Sequence, residues 1–536
     1  METSSIGSAQ AGKPSNVTQG SPAAITRHIV RLVEFALRRD MIAELDKEAA
    51  VNALLDLFRL SEPDQAAMDT AFDEPIPDSP TPLLEPLLDA AAELGLIPDD
   101  TVTYRDLFDA RIMGLLMPRP SETAALFEAL KKEKGVVAAT DWFYRLNMDS
   151  NYIRMDRIRR NGYWLHPTAY GGLEITVNLS KPEKDPKEIA LLKTLPQSNY
   201  PPCLLCKENV GYAGRPDHPA RQNIRLLPVE LQGERWFFQY SPYVYYNEHS
   251  IVLRGEHVPM RISRETFARL LDFVERFPHY FIGSNADLPI VGGSILNHDH
   301  FQAGRHVFPM EQADVDAWRE HSQEPKVRGG IVKWPMSVLR LRSEDRDALL
   351  RTAGGVLDAW RGYSDAAAEV AAFSGETPHN TITPIARMRD NGEYELDLVL
   401  RNNRTSEEHP DGIFHPHREL HHIKKENIGL IEVMGLAVLP GRLQQELADI
   451  AELLTGAAAY DPAALADAAH PLAKHADWIA ELVSAYGTAM AAEDAARLLQ
   501  REVGDKFAAV LRDAGVYKET APGRTSFERF LASAGF

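Results

Sequence analysis

The spacing of apolar residues changes near Gly171, and this change most restricts the fold available to the chain. Over residues 25–60 apolar residues recur every three or four positions, which is typical of helices with one buried face. Helical spacing resumes over 83–94 and 106–134. Over 173–179 apolar and polar residues alternate instead, which is typical of a half-buried strand. The sequence therefore predicts a helical domain followed by sheet-containing domains.

Further strand-like runs lie at 235–240, 250–254 and 288–296. Between the last two, the pattern predicts a helix with Ser263 as its N-cap. Strands with an inserted helix indicate an α+β fold.

A second α+β block follows, and its clearest element is a hairpin. Its arms are 381–388 and 394–400, and they flank an Asn391-Gly392 turn, a strong hairpin signal because both residues tolerate positive φ. After Pro440 the chain is Ala-rich and helical to about Val516. The two sheet blocks could be degenerate copies of one fold.

Composition restricts the class of protein. The 536 residues are 44% apolar and 25% charged, an ordinary globular balance. The net charge of −19 argues against a nucleic-acid partner, because such proteins neutralise phosphates with Lys and Arg. The chain contains no apolar run long enough to span a membrane, and its first 22 residues lack a secretory signal. We expect a cytoplasmic protein with no membrane partner and a disordered tail.

The only two cysteines are Cys203 and Cys206. They provide no disulfide framework, so the pair is half of a metal site, a redox motif, or without special function.

The most informative stretch runs from Gly292 to Gln302, GGSILNHDHFQ. In an extended chain His298, His300 and Gln302 face the same side. Glycines allow a backbone to approach a phosphate closely, an imidazole can attack phosphorus, and an amide can donate to a phosphoryl oxygen. By spacing alone, a pair of surface or metal-bound histidines is an equal alternative.

The stretch, with its surroundings, resembles the histidine-triad superfamily, and within it the longer class II galactose-1-phosphate uridylyltransferases. The resemblance is carried by four segments, Asn178–Pro186 (NLSKPEKDP), Ser284–Met310, Pro378–Arg387 (PHNTITPIAR) and Arg401–Leu443. It implies two histidine-triad-like antiparallel sheet units, with an N-terminal α-helical domain and C-terminal helices. The implied segments are a tail at 1–22, a helical domain at 23–165, a catalytic unit at 166–325, a second unit at 326–445 and a helical region at 446–536.

The resemblance also implies a reaction. His300 would be the nucleophile, would accept a uridylyl group from UDP-glucose, and would pass it to galactose 1-phosphate, giving UDP-galactose. Gln302, where related hydrolases have a third histidine, would donate to the phosphoryl oxygens. Residues that match phosphate-binding positions are Asn285, Gly293 and Ser294. Candidate cations for the leaving group are Arg305, Arg401, Arg404, Lys424 and Lys425, each of which could equally be a solvated surface charge.

Two metal sites are suggested by relatives. Cys203, Cys206, His257 and His298 occur in the order of a structural zinc site in shorter relatives, and two thiolates with two imidazoles suit tetrahedral zinc. His257 is the least secure ligand, because His249 lies only eight residues earlier. A second metal would use His379, His415 and His417, but no secure carboxylate completes this set, so contacts to substrate or to a second subunit are the favoured alternative.

The leading hypothesis is thus a homodimeric UDP-glucose–hexose-1-phosphate uridylyltransferase of galactose metabolism. A dinucleoside tetraphosphate phosphorylase or another nucleotidyltransferase with the same fold is the enzymatic alternative. A non-catalytic protein that binds zinc or nucleotides is the third, although it would not need the complete His-x-His-x-Gln.

Overall fold

The computed structural model describes residues 19–180, 198–293 and 295–536. Most of the predicted tail, most of the Asn178–Pro186 motif, and Ser294 lie outside the described residues.

The helices of the described residues are α1 (Pro22–Arg38), α2 (Lys47–Leu57), α3 (Gln65–Thr70), α4 (Thr81–Glu93), α5 (Val102–Gly114), α6 (Pro120–Lys134), α7 (Val136–Asp149), α8 (Met155–Ile158), α9 (Arg264–Arg276), α10 (Pro309–Gln312), α11 (Arg346–Gly362), α12 (Leu430–Val433), α13 (Arg442–Thr455), α14 (Pro462–Leu465), α15 (Ala476–Tyr486), α16 (Ala492–Ala514) and α17 (Ala521–Ser533). Within this part of the chain, no helix is both long and apolar enough to cross a membrane.

The strands are β1 (Gly162–Thr168), β2 (Gly171–Asn178), β3 (Leu227–Leu231), β4 (Glu234–Tyr240), β5 (Ser250–Arg254), β6 (Phe281–Gly283), β7 (His300–Gly304), β8 (Arg319–Glu320), β9 (Arg328–Ile331), β10 (Val338–Ser343), β11 (Phe373–Ser374), β12 (Thr377–Pro378), β13 (Asn380–Met388), β14 (Tyr394–Asn402) and β15 (Leu436–Pro440).

The chain divides into two compact units. One comprises the described residues of Met1–Arg119 with Leu146–Tyr152 and Gly211–Ile224; the other comprises Pro120–Arg145, the described residues of Ile153–Val210, and Arg225–Phe536. The domain boundaries proposed from the sequence remain a prediction.

The first unit is helical, as its spacing predicts. Helix α1 begins after Ser21, whose side chain accepts a hydrogen bond from the Ala24 amide at 3.3 Å. Its buried face includes Ile25, Ile29 and Leu32, which pack toward α2, α3 and α4.

The second unit contains an antiparallel sheet of ten strands in the order β3-β4-β5-β7-β6-β13-β14-β10-β9-β8. Each half contributes five strands to this sheet, three before a helix and two after it, with α9 in the first half and α11 in the second. The halves meet where β6 pairs with β13, through Gly283–Ile385 and Ile282–Ala386. The predicted α+β class is therefore confirmed, and the two sheet units form one continuous sheet. A smaller sheet, in the order β1-β2-β15, lies in the same unit.

One face of the first half-sheet is covered by α9. Ser263 caps this helix as predicted, and the Thr266 hydroxyl oxygen accepts a hydrogen bond from the Ser263 amide at 3.1 Å. Phe238 on β4 stacks on Phe277, just after α9, at 5.6 Å between ring centroids. Because Phe238, Val252 and Phe301 are paired across neighbouring strands, Phe301 lies on this covered face.

The predicted hairpin is confirmed as β13 and β14. In its turn Gly392 takes a φ of +84°, whereas the Asn391 side chain accepts a hydrogen bond from the Glu393 amide. The predicted strand at 288–296 is wrong. Pro289 lacks an amide hydrogen and Ile290 has a φ of +72°, so the described residues form a loop with one isolated bridge, between Ala286 and Gly292.

A buried ion-pair network lies on the second half-sheet. Asp397 accepts two hydrogen bonds from Arg340, at 2.7 and 2.9 Å, and one from Arg387 at 2.8 Å. Burial alone would raise the pKa of Asp397, but the two guanidinium groups hold it below its ordinary value. The carboxylate therefore stabilises the fold at neutral pH, and this contribution is lost only as the pH falls through the lowered pKa.

We expect Asp397→Asn to lower the free energy of unfolding by about 3–5 kcal/mol, because it leaves buried guanidinium charge uncompensated. Denaturant unfolding of the full chain measures this loss. The control is Asp358→Asn, which breaks an ion pair with Arg264 whose two side chains are each 56% exposed and which should cost less than about 1 kcal/mol. Equal losses in the two variants would contradict the role given to the network.

Candidate active site and metal cluster

Strand β7 carries His300 and Gln302 on the sheet face opposite α9. Phe301 lies on the covered face and stacks on Trp236, with 4.8 Å between ring centroids. Because side chains alternate along a strand, His300 and Gln302 point to the opposite face. The alternation predicted for these two residues is therefore present, and His298 lies just before the strand.

The hydrogen bonds of His300 determine its tautomer. Its Nδ1 lies 2.7 Å from the main-chain carbonyl oxygen of His298, which can only accept, so Nδ1 carries the proton. Nε2 then has the free lone pair, and no hydrogen-bond partner for it occurs in the described residues. Burial lowers the pKa of His300 to about 4. The ring is thus neutral at pH 7, as nucleophilic attack requires.

Asn285 follows β6, two residues after Gly283, which pairs with Gln302 on β7. Its Oδ1 accepts the Leu430 amide at 2.9 Å, which fixes the amide plane. A Cβ added to Gly293 would lie 2.6 Å from Asn285 Nδ2, so a side chain at this position would displace Asn285. The structure thus brings together the phosphate-binding candidates Asn285 and Gly293.

The loop containing Gly293 is backed by residues from the second half of the chain. Asn427 donates to the Gly292 carbonyl and Asn403 donates to the Pro289 carbonyl, each at 3.3 Å. Ile290 holds a positive φ, which is rare for a β-branched residue and is a form of strain found at functional sites.

Cys203, Cys206, His257 and His298 converge, with their ligand atoms all within 4.8 Å of one another. Cys206 Sγ lies 3.0 Å from His257 Nδ1 and 3.5 Å from His298 Nδ1. Cys203 Sγ lies 3.4 Å from the other sulfur and 3.2 Å from His298 Nδ1. Tetrahedral zinc separates such ligand atoms by about 3.3–3.8 Å. The cluster is therefore compatible with zinc after small shifts.

The surroundings of the cluster orient its ligands. His298 Nε2 donates to the Arg254 carbonyl at 2.9 Å, so Nδ1 presents its lone pair to the sulfurs. Asn209 donates to the carbonyls of both cysteines at 2.8 Å. The His298 carbonyl also accepts the hydrogen bond from His300 Nδ1. His298 therefore connects the metal cluster to the nucleophile candidate.

The five candidate cations do not converge on His300. Arg305 pairs with Asp141 and Glu248, the latter at 2.7 Å, and buried Lys424 pairs with Glu432 at 2.9 Å. Arg401 is buried three strands from β7, and donates to Thr383 Oγ1 at 3.3 Å and to the Ile428 carbonyl at 3.0 Å. Arg404 donates to the Glu369 carbonyl, and Lys425 is exposed.

The histidines considered for a second metal are not gathered into one cluster within the described residues. His379 bonds Asn403 and Ser374, each at 2.8 Å. His415 lies 3.1 Å from the Pro416 carbonyl. His417 lies near Glu419 and Asp513 instead.

Several neighbours of the site could not be identified from the sequence. Asn209 and Asn427 reach it from distant segments, and no spacing rule connects them to it. The sequence identifies His249 only as an alternative metal ligand, whereas the structure places it immediately before β5, outside the metal cluster and next to the strand that carries Gln302.

The second half-sheet has carboxylates at the corresponding positions. With the Gly283–Ile385 pair taken as the centre of the sheet, β6 and β13 lie on either side of it, and β7 and β14 flank them in turn. Gln302, opposite Gly283, corresponds to Asp397, opposite Ile385. Two residues earlier, His300 corresponds to Glu395, which Arg387 and Arg342 neutralise. An imidazole at the nucleophile position therefore occurs only in the first half.

Comparison with known proteins gives one family. Residues 45–259 match the galactose-1-phosphate uridyl transferase N-terminal domain, and residues 273–473 match the C-terminal domain of the same family. A galactose-1-phosphate uridylyltransferase of Caldanaerobacter subterraneus is 57% identical over 513 residues, 95% of this chain and 98% of that protein. Those of Halalkalibacterium halodurans and Bacillus subtilis are 54% and 51% identical over 96% of the chain, and 99% and 98% of their own lengths are covered.

Among solved structures, a yeast Ap4A phosphorylase covers 62% of this chain and 89% of its own with a TM-score of 0.29 and 12% identity, too low a likeness to bear on fold or activity. The two domain matches and the near full-length identities agree, and the chain belongs to the galactose-1-phosphate uridyl transferase family.

Proposed function

We propose that this protein exchanges a uridylyl group between UDP-glucose and galactose 1-phosphate, with His300 as the covalent nucleophile. The supporting observation is the neutral, Nδ1-protonated ring of His300, whose Nε2 is free on the same face as Gln302. The names of the related transferases support the choice of substrates.

The proposed reaction has two half-reactions. In the first, the His300 Nε2 lone pair attacks the α-phosphorus of UDP-glucose, a phosphorus–nitrogen bond forms, and the phosphorus–oxygen bond to glucose 1-phosphate breaks. In the second, a phosphate oxygen of galactose 1-phosphate attacks the uridylyl-histidine, and the phosphorus–nitrogen bond breaks to give UDP-galactose. The Nδ1–H bond to the His298 carbonyl supports the positive charge on the ring while phosphorus is attached.

The other candidates take supporting roles in this proposal. Gln302 donates to the phosphoryl oxygens in both half-reactions, while Asn285, Gly293 and Ser294 bind the nucleotide phosphates. Arg404 and Lys425 are proposed to balance the phosphate charge of the substrates, whereas Arg401 is buried three strands from His300 and is left out of this role. Arg305 and Lys424 are paired with Glu248 and Glu432, and these ion pairs would have to break before either cation could contact a phosphate.

We also propose that Cys203, Cys206, His257 and His298 hold a structural zinc ion. Four protein ligands leave no open position, so the ion would supply rigidity and take no part in the transfer. The ring of His298 belongs to the metal cluster, and its main-chain carbonyl accepts the hydrogen bond from His300 Nδ1. His298 therefore orients the nucleophile from within the cluster.

Intact-protein mass spectrometry tests the proposal. After incubation with UDP-glucose and no acceptor, the chain should gain one uridylyl group, and galactose 1-phosphate should remove it as UDP-galactose. N-acetylhexosamine 1-phosphates, offered as acceptors in parallel, measure the sugar preference. A folded protein that leaves UDP-glucose intact would refute the assignment, and an adenylyl adduct formed from a dinucleoside tetraphosphate would favour the phosphorylase alternative.

We expect Gly293→Ala to slow formation of the adduct by about 10²-fold with little loss of stability. The new Cβ would meet the Asn285 side chain at 2.6 Å and displace it from the phosphate position, and misplacement of about 1 Å costs this much. Single-turnover kinetics with UDP-glucose measures the effect. The control is Gly355→Ala, whose Cβ would meet nothing within 4 Å in α11. Unchanged kinetics for Gly293→Ala would exclude this glycine from the phosphate site.

The proposal includes a cytoplasmic homodimer. The dimer is suggested by the family resemblance, and sedimentation of the purified protein measures it directly.

A further inference from the structure

His249 lies on the same sheet face as His300 and Gln302. The β5 ladder continues through it, since its carbonyl accepts the Ser241 amide at 2.8 Å. Its side chain therefore alternates with that of Ser250 and shares the face of Ile251, which pairs with Gln302. By the same register His249 stands opposite Gly304, one row along β7 from Gln302.

The packing around Gly304 supports this position. A Cβ added there would lie 2.6 Å from the ring of Tyr246, so this ring occupies the space above the glycine. The Tyr246 ring lies 4.6 Å from the His249 ring and 5.4 Å from the Phe281 ring, between centroids. Phe281 pairs with Gly304 from the other side. His249, Gly304 and Phe281 thus form one row across three strands, and Tyr246 covers it.

His249 and Gln302 each have a buried hydrogen-bond acceptor atom for which the described residues offer no donor. His249 Nδ1 donates to the Tyr243 carbonyl at 2.6 Å, so Nε2 carries the lone pair, and Nε2 is buried and unpaired. Gln302 Oε1 is buried and unpaired as well. Burial lowers the pKa of His249 to about 4, so its ring is neutral at pH 7 and cannot donate to Gln302 itself. A buried acceptor without a donor is destabilising, so a donor is expected at this place.

We propose that His249 is a positioning residue for Gln302, through one buried water that donates to both His249 Nε2 and Gln302 Oε1. Diagonal neighbours on adjacent strands are about 7–8 Å apart at the backbone, a span that two side chains and a water can bridge. The water fixes Gln302 Oε1 inward and leaves the amide N–H groups facing the site. A flipped amide would instead place its oxygen against the anionic phosphoryl group. The proposal rests on the uridylyl transfer proposed above.

Two variants separate this role from a purely structural one. His249→Asn keeps a donor for the Tyr243 carbonyl but removes the acceptor at the Nε2 position. His249→Gln keeps a polar group at the Nε2 position and loses the Tyr243 bond. We expect His249→Asn to slow both uridylylation by UDP-glucose and discharge by galactose 1-phosphate by about 10- to 100-fold, with KM nearly unchanged, and His249→Gln to retain most of both rates.

A double-mutant cycle shows whether His249 acts through Gln302. We expect His249→Asn to have no further effect on either rate in a Gln302→Ala background, because the amide to be oriented is gone. A crystal structure of the wild-type protein should show the water within hydrogen-bond distance of both atoms, and this measurement does not depend on whether a variant folds.

Four outcomes would overturn the proposal. They are near wild-type rates for His249→Asn with impaired His249→Gln, an effect confined to the KM of one sugar phosphate, additive losses in the cycle, and a crystal structure without the shared water. Failure of the wild-type protein itself to form an adduct would refute the proposed function instead, so the two failures are distinguishable.

Discussion

Replacing His300 by alanine is expected to abolish the uridylyl adduct and to lower the exchange rate by at least about 10⁴-fold. The neighbouring groups position phosphate but offer no equivalent nucleophile. Gln302 is an amide, and Nδ1 of His298 faces the cysteine sulfurs. The second half-sheet cannot substitute, because Glu395 and Asp397 occupy the corresponding positions within ion pairs. Mass spectrometry with UDP-glucose should therefore find unmodified chain only.

The control for this variant is His166→Ala. His166 and His300 are equally buried, at 5% exposure, but His166 lies on the smaller sheet and bonds Asp505. Its replacement should leave the adduct intact, although it removes the same volume. An adduct that persists in His300→Ala, or that is lost equally in both variants, would show that another residue is the nucleophile or that the loss is structural.

Replacing Cys206 by serine should reduce bound zinc from about one ion per chain to nearly none and slow formation of the adduct by about 10- to 100-fold. Cys206 Sγ lies within 3.5 Å of three other ligand atoms, so its loss affects the whole cluster. With the cluster loosened, the His298 carbonyl no longer fixes the His300 ring. Zinc content and single-turnover rates measure the two effects on the same sample.

The thiol content makes the zinc measurement specific. The chain has only two cysteines, both in the cluster, so zinc released by a mercurial reagent reports this site alone. His257→Asn should lose zinc like Cys206→Ser, whereas His249→Asn should retain it, because His249 bonds Tyr243 and lies away from the cluster. Zinc loss from His249→Asn with retention in His257→Asn would show that His249, and not His257, is the zinc ligand. No zinc in the wild-type protein would refute the site.

The sequence predicts the elements whose signal is local. The hairpin of β13 and β14, strand β5 and the cap of α9 follow from alternation, turn residues and capping side chains. The shared face of His300 and Gln302 follows from strand alternation, and the ligands of the metal cluster come from the family resemblance. These features depend on residues a few positions apart or on motifs with fixed order.

Other features depend on contacts between distant segments, which no local pattern specifies. The apolar run at 288–296 is a loop because Ile290 takes a positive φ that its packing against the second half of the chain supports. The partners of Arg305 are 57 and 164 positions away, so its ion pairs could not be foreseen. The continuous sheet depends on the short pairing of β6 with β13, about a hundred residues apart.

That pairing also has a consequence for the order of folding. Within each half, the longest connections between neighbouring strands run from β5 to β7 through α9 and β6, and from β10 to β14 through α11 and β13, so either half can form from contacts within one continuous stretch of chain. Pairing of β6 with β13 requires closure of a much longer loop, and it forms only two residue pairs. We therefore expect the two half-sheets to form first and to join last, and the junction, which lies one strand from the nucleophile, to open most readily under force or denaturant.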